Sequence, residues 1–215
     1  MIAFWEKQHD KLIAALLQHL ELVAVTLFFS LLIASVLTLA AVYNRKLGEV
    51  FIQVFSVLYS VPSMALFALL IPVTGLGTTT AVIVLTGYNQ YLLLRNFIEG
   101  LLGVDSAVVE AAQGLGMSRM QILFKIRLPL AQSALFTGIQ LAVISTISIA
   151  TIAAMVNAGG LGTILFDGLR TLNVYKIVWG SLLCAGLALC MNGIFALAQA
   201  YSVRRVWNKG SQHKA

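Results

Sequence analysis

The sequence predicts an all-α fold, a polytopic transmembrane helical bundle with about five spans. Its 215 residues are 60% hydrophobic and only 10% charged, whereas soluble domains carry about 25% charged residues. Apolar runs of roughly 20 residues recur along the chain, and each can cross a hydrocarbon core about 30 Å thick. Because no linker, low-complexity segment or polar domain interrupts this pattern, residues 1–215 are predicted to form a single transmembrane domain.

The apolar runs and the polar residues between them set the predicted elements in order. Residues 3–19 mix charged and apolar positions at helical spacing, so we expect an interfacial helix before the first span. The run that follows is too long for the core of a signal peptide and is predicted to be retained. A loop at 157–175 is expected to connect the last two spans. The five predicted spans are residues 20–42, 50–73, 79–96, 130–156 and 176–201.

The distribution of lysine and arginine predicts the orientation, because basic loops stay in the cytoplasm. With five spans, one side carries four basic residues balanced by four acids, so the whole formal charge of +6 lies on the other side. We therefore predict that the N-terminus is outside and the C-terminus cytoplasmic. The basic surplus needs no nucleic acid to explain it. The basic residues of the predicted cytoplasmic side are Arg45, Lys46, Arg95, Arg119, Lys125, Arg127, Arg204, Arg205, Lys209 and Lys214.

The longest stretch that could meet water lies between the third and fourth predicted spans, and its local chemistry predicts a helical elbow. Asp105 is a good N-cap for a first short helix. Gly116 can take the left-handed conformation that ends a helix. Ser118 followed by Gln121 fits a capping box that starts a second helix. Pro129 suits the first turn of the next helix.

This elbow, residues 105–127, contains a motif with fixed spacing. The sequence reads Glu-Ala-Ala from Glu110, then three residues, Gly116, nine residues and Ile-Arg-Leu-Pro ending at Pro129. The motif resembles the EAA loop of ABC-importer permeases, where the elbow docks into a groove on a cytoplasmic ATPase subunit. The resemblance implies the type I ABC-importer permease (MetI-like) fold. The residues that it assigns to ATPase coupling are Glu110, Ala111, Ala112, Gly116, Ile126, Leu128 and Pro129.

Two further stretches are similar to the osmoprotectant branch of these permeases. Residues 61–67, 70–72 and 75–77 look like the second-span signature of that branch. Residues 157–162 are similar to its outer loop, where Gly-Ala-Gly-Gly-Leu-Gly is usual and Asn157 departs from the usual glycine. The resemblance therefore singles out the outer-loop residues Gly159, Gly160 and Gly162.

The resemblance covers roughly residues 16–200 and implies a complex in the bacterial cytoplasmic (inner) membrane. In the osmoprotectant branch two permease subunits, identical or paralogous, pair above an ATPase dimer. A substrate-binding protein delivers glycine betaine, choline, carnitine or a related quaternary amine. ATP binds to the ATPase subunits, so no cofactor is expected on this chain. Other branches share the elbow and import methionine or other small solutes, which leaves the substrate open.

Polar groups at the middle of two predicted spans are candidates for a translocation pathway. Pro62 removes a backbone donor, and such breaks occur where protein or a water-filled cavity covers them; a simple kink is the alternative. Amides in a membrane usually face protein or water, so Asn89 and Gln90 are expected to line a cavity, with a helix–helix hydrogen bond as the alternative. The candidate pathway residues are Tyr59, Ser60, Pro62, Tyr88, Asn89 and Gln90.

Small residues recur at every fourth position of the fourth predicted span, from Ala134 to Ala154, and the row continues to Ala158 just beyond it. Small residues let helix backbones approach closely in lipid. We therefore expect this helix to be central and to pack against the fifth span or a second permease subunit.

The residue pattern does not support catalytic or metal-binding roles. None of the eight Asp and Glu residues, and no histidine, lies deep in a predicted span, although an intramembrane enzyme needs paired ionisable or nucleophilic groups. Ion-coupled carriers commonly use intramembrane acids, so that class is the less favoured alternative. The scattered histidines, and two cysteines six positions apart in one apolar run, do not form a metal site.

Overall fold

The computed structural model describes the backbone of residues 2–211 and the side chains of residues 4–202. No strand occurs in this range, so the predicted all-α class is confirmed. A π-helical turn spans Leu123–Arg127 and a 3-10 turn spans Ala154–Val156. The α-helices are α1 (Ile2–Tyr43), α2 (Arg45–Ser60), α3 (Ser63–Thr74), α4 (Thr78–Leu102), α5 (Ser106–Gly114), α6 (Arg119–Ile122), α7 (Leu128–Ala153), α8 (Leu161–Arg170) and α9 (Val174–Ser211).

Three helical segments of the described chain are long and apolar enough to cross a membrane: Phe4–Tyr43, Arg119–Val156 and Val174–Ser202. The pair α2 and α3 makes a fourth if it is counted as one broken span. The predicted span at 79–96 lies within α4, whose 25 residues are about 38 Å long at the usual rise per residue but whose centre is polar. Five spans and their orientation therefore stay predictions.

The N-terminal region corrects the predicted division between an interfacial helix and the first span. α1 runs without interruption from Ile2 to Tyr43 over 42 residues. Residues 3–20 contain neither glycine nor proline, so nothing in the backbone favours a helix end there. The predicted interfacial segment is therefore the first part of a single long helix.

The predicted second span is two helices, α2 and α3, bent by 96° at their junction. The residue before a proline avoids the α conformation, and Val61 is extended, with φ −73° and ψ 132°. Pro62 itself has ψ 133°. Two successive extended residues turn the chain sharply, so the junction is a full break rather than a simple kink.

The centre of the molecule is α4, which packs against α1, α2 and α7. Close approach depends on glycine: a Cβ on Gly138 of α7 would lie 2.8 Å from the Cβ of Asn96, and one on Gly100 of α4 would lie 2.6 Å from the Cβ of Ala134. The small-residue row of α7 therefore packs against α4, and the expected packing of this helix against the fifth span is confirmed by its contact with α9. α9 packs beside Val143, at a neighbouring strip of α7.

The segment predicted as a loop at 157–175 is also corrected, because it contains α8. Asn157, which stands where the resembled family has glycine, has φ +66°. Asparagine tolerates this left-handed conformation better than most residues, so the turn is kept although asparagine replaces the family's usual glycine. The predicted cytoplasmic tail falls partly outside the described side chains; the residues concerned are Arg204, Arg205, Lys209 and Lys214.

Candidate functional site

The elbow has the caps that the sequence predicts. The Asp105 carboxylate accepts the backbone N–H of Ala107 at 2.9 Å. Gly116 ends the first helix with φ +77°. Ser118 and Gln121 form the complete capping box: the Ser118 N–H donates to the glutamine side chain at 2.8 Å, and the Gln121 N–H donates to the serine hydroxyl at 3.3 Å. The turn between α5 and α6 is thus fixed by local hydrogen bonds and by the left-handed backbone of Gly116.

The underside of the elbow is a small apolar core. Val109 and Ala112 of α5 pack against Ile122 of α6, with Met117 and Ile126 at the edge. Ala112 is only 4% exposed, so this alanine of the motif holds the two helices together. A larger side chain at this position would separate them.

The outer surface of the elbow presents a different set of residues. Glu110, Ala111 and Gly116 are exposed, and within the described part of the chain Glu110 makes neither a hydrogen bond nor an ion pair. The carboxylate therefore does not hold the elbow in shape and is free to meet a partner. Leu115 is 84% exposed and was missed by the sequence reasoning. The available signal was a large apolar residue immediately before the turn glycine, in a stretch predicted to meet water.

The second half of the motif joins the elbow to α7 without a break. The Leu128 N–H donates to the carbonyl of Leu123, five residues back, which makes the π-helical turn. Pro129 cannot donate to the carbonyl four residues before it, and its ring would crowd that carbonyl; the wider π turn accommodates both. The π-helical turn ends at Arg127, where the elbow is predicted to end, and α7 begins at Leu128 without a gap. A displacement of α6 would be passed directly to α7.

The break between α2 and α3 is braced by an aromatic cluster. The Tyr88 hydroxyl of α4 donates to the carbonyl of Val61 at the break. The Tyr59 ring lies edge-on to the Tyr88 ring at 5.5 Å and is tilted against the Tyr91 ring at 5.1 Å. Tyr88 is 3% exposed, whereas Tyr59 is 36% exposed. Tyr59 therefore belongs to an outward face at the break, together with the exposed Ser60 and Pro62.

Asn89 and Gln90 correct the cavity-lining expectation, because both are buried at 1% exposure. The Asn89 amide donates to the Ser30 hydroxyl of α1 at 3.1 Å and to the Thr146 hydroxyl of α7 at 2.8 Å. The Gln90 amide donates to the Ser30 carbonyl at 3.2 Å. Polar side chains join helices in this way in membranes, so these two residues tie α4 to its neighbours.

The outer-loop glycines are positions of close backbone approach. The Gly160 N–H donates to the Gln18 side chain of α1 at 3.3 Å, and a Cβ there would lie 2.9 Å from Nδ1 of His19. A Cβ on Gly159 would lie 3.0 Å from the Gln18 side-chain oxygen, and one on Gly162 would lie 1.9 Å from the carbonyl of Thr151. The loop is therefore pressed against α1 and α7.

Beyond these glycines, α8 is fastened to α9 by an ion pair. Nζ of Lys176 lies 2.5 Å from the Asp167 carboxylate, and an Arg170 nitrogen lies 3.0 Å from it. The hydrogen bond from Lys176 and that from Arg170 lower the pKa of Asp167 below its usual range. This carboxylate is accordingly charged at neutral pH.

Comparison with known proteins identifies a protein family and relatives that are transport permeases. Residues 26–208 match the family described as binding-protein-dependent transport system inner membrane component. The chain is 32% identical over 199 residues to the carnitine transport permease protein OpuCB of Listeria monocytogenes, covering 93% of this chain and 90% of the relative. It is 27% identical to the glycine betaine/carnitine/choline transport system permease protein OpuCB of Bacillus subtilis, covering 99% and 96%.

A solved structure has the same fold. The inward-facing MetNI methionine ABC transporter contains a chain that superposes with a TM-score of 0.81 at 23% identity, over 94% of this chain and 98% of that one. The predicted MetI-like permease fold is therefore confirmed.

Proposed function

The chain belongs to the binding-protein-dependent transport system inner membrane components, and from this premise we propose that it forms the translocation pathway of an ATP-driven importer of a quaternary amine. Membership makes it a membrane-embedded transport subunit and not an enzyme, since ATP hydrolysis belongs to a separate ATPase. Glycine betaine, choline and carnitine are the proposed substrates. The proposed location is the bacterial cytoplasmic membrane.

The observation that carries the coupling role is the elbow itself. It presents Glu110, which is unpaired within the described chain, and an exposed Leu115 to a partner, and it continues through the π-helical turn into α7. We propose that two ATPase subunits dock there, one on each of two paired permease subunits. A displacement of α6 would then move α7, which is continuous with the elbow, and α7 packs directly on the central helix α4.

The substrate proposal rests on the named substrates of the relatives and on the face at the break. Carnitine, choline and glycine betaine each carry a quaternary ammonium, which keeps its charge at any pH and has no N–H donor. An aromatic face attracts such a cation by about 0.5–2 kcal/mol, and Tyr59 offers one beside Ser60. Such weak contacts suit passage, and a substrate-binding protein would supply most of the selectivity. Methionine import is the alternative; an ion-coupled mechanism is less favoured.

Uptake and co-purification test the proposed function together. The chain is expected to purify with an ATPase subunit, and the reconstituted complex with its binding protein is expected to take up radiolabelled glycine betaine, choline or carnitine when ATP is inside. Methionine is the matched competitor. Uptake of methionine alone would contradict the substrate class, and purification without any ATPase would contradict the importer.

The orientation is tested by cysteine accessibility in a background with Cys184 and Cys190 replaced by alanine. Thr171→Cys, in the exposed turn after α8, is expected to react with a membrane-impermeant maleimide in intact cells. Ala107→Cys, exposed on the elbow, is expected to react only after permeabilisation. The reverse pattern would overturn the proposed five-span orientation.

A further inference from the structure

Two cavities meet where α1, α4 and α7 reach the elbow, and they differ in character. One, of about 490 Å³, lies among apolar side chains of the three helices, including Leu39, Phe97 and Leu135. The other, of about 280 Å³, lies between the end of α1 and the elbow and is lined by Arg119 and Arg127. Val42 and Leu123 line both cavities. The two cavities therefore adjoin, one apolar and one cationic, and are together called the amphipathic groove.

The cationic end has no counter-charge within the described chain. Arg119 makes no hydrogen bond or ion pair there, and Arg127 donates one guanidinium N–H to the carbonyl of Leu101 at 3.2 Å, which leaves its other donors available. The remaining polar lining is Gln113 and Tyr43. Two guanidinium groups without a carboxylate make a site for an anion, since guanidinium binds phosphate through paired hydrogen bonds.

The lining of the apolar end includes the hydroxyl residues Ser35 and Thr38. The Thr38 hydroxyl is buried and has no hydrogen-bond partner within the described residues. Thr38 lines the apolar cavity and lies one helical turn before Val42, which lines both cavities. Because this hydroxyl oxygen is buried, the two arginines rather than Thr38 are the groups that would contact a headgroup.

We propose that this groove binds one anionic phospholipid, with an acyl chain in the apolar cavity and its phosphate between Arg119 and Arg127. Basic pockets between transmembrane helices are known to hold anionic headgroups. The occupant is a lipid rather than free phosphate because the apolar cavity borders the anion site at Val42 and Leu123. Since Leu123 and Arg127 belong to the π-helical turn, the lipid would contact the segment that joins the elbow to α7.

Native mass spectrometry of the full-length chain in detergent tests the proposal by resolving individual bound lipids. The first molecule of dimyristoyl phosphatidylglycerol is expected to bind at least ten-fold more tightly than dimyristoyl phosphatidylcholine. Arg119→Gln is expected to lower phosphatidylglycerol affinity by about five-fold, the effect of roughly one basic residue at a membrane surface. The double variant with Arg127→Gln is expected to abolish the preference, and the corresponding double lysine variant to retain it.

Matched controls separate this site from general charge effects. Lys125→Gln removes the same charge from the exposed side of the elbow, lines neither cavity and is expected to leave the preference unchanged. Ser35→Trp, which fills the apolar cavity, is expected to weaken binding of both lipids. The proposal is overturned if Lys125→Gln and Arg119→Gln lower phosphatidylglycerol affinity equally, or if replacing either arginine leaves that affinity unchanged. It is also overturned if glycerol phosphate at millimolar concentration displaces the lipid. Size exclusion and helical circular dichroism verify folding, and Arg119→Gln alone suffices if the double variant does not fold.

Discussion

Gly116→Val is expected to lower ATP-driven uptake by the assembled complex at least ten-fold while the helices remain inserted. Gly116 has φ +77°, and a Cβ there would meet no atom within 4 Å. The cost is therefore one of backbone conformation and not of collision. A non-glycine residue in a sparsely populated backbone region costs about 1–3 kcal/mol, and a β-branched residue resists the left-handed region most. The turn would open, and α5 would no longer be held over α6 for docking.

Two variants of the same elbow provide matched controls. A Cβ on Gly114 would also meet no atom within 4 Å, but this residue lies in ordinary helical conformation at the end of α5. Gly114→Val is therefore expected to retain uptake. Gly116→Asn is expected to recover most activity, because Asn157 of this chain already adopts φ +66°. Uptake and substrate-stimulated ATP hydrolysis are measured together, and equal losses for both valine variants would show that the turn conformation is not the cause.

Glu110→Ala tests the docking surface in the same assays. This side chain makes no hydrogen bond or ion pair within the described residues, so its loss is not expected to destabilise the elbow. Uptake and stimulated ATP hydrolysis are expected to fall together, with the thermal stability of the isolated chain unchanged. Normal values of both activities would remove Glu110 from the coupling surface.

Tyr88→Ala is expected to destabilise the chain strongly, by about 3–5 kcal/mol as for other buried aromatic residues. The ring is buried in the cluster between α3, α4 and α7, and its hydroxyl satisfies the Val61 carbonyl at the break. The apparent melting temperature in detergent should fall by roughly 10 °C. Tyr88→Phe keeps the ring but leaves that carbonyl without its partner, so a smaller loss of about 1–3 kcal/mol is expected.

The neighbouring Tyr59 provides the contrast that separates a brace from a pathway residue. Because Tyr59 is 36% exposed, Tyr59→Ala is expected to change stability little and to slow uptake several-fold. Thermal unfolding monitored by fluorescence and uptake by the reconstituted complex give the two readouts. Wild-type uptake by a stable Tyr59→Ala complex would mean that the aromatic face at the break does not contact the substrate. Equal destabilisation by both alanine variants would mean that Tyr59 is a packing residue as well.

Features of the elbow that depend on a few neighbouring residues could be predicted from the sequence. The cap at Asp105, the turn at Gly116 and the Ser118–Gln121 box each depend on contacts within three residues, so their local chemistry was sufficient. A bend at Pro62 was also predictable, since proline and its neighbour restrict their own backbone angles, but the choice between a kink and a full break was left open by the sequence. The helical class followed from composition, because in lipid a chain this apolar must satisfy its backbone hydrogen bonds within helices.

The tertiary structure alone decided which face each helix turns inward. Asn89 and Gln90 were predicted to line a cavity and instead form hydrogen bonds to α1 and α7. An amide in an apolar segment needs hydrogen-bond partners, but the sequence does not show which helix supplies them. The small-residue row of α7 indicated close packing, and only the fold showed that α4 is its partner. Tyr88 and Tyr59 are the same residue type at similar depth, yet one is buried and one exposed. The difference arises because Tyr88 lies on the central helix α4, within the core cluster, whereas Tyr59 lies near the end of α2 beside the break.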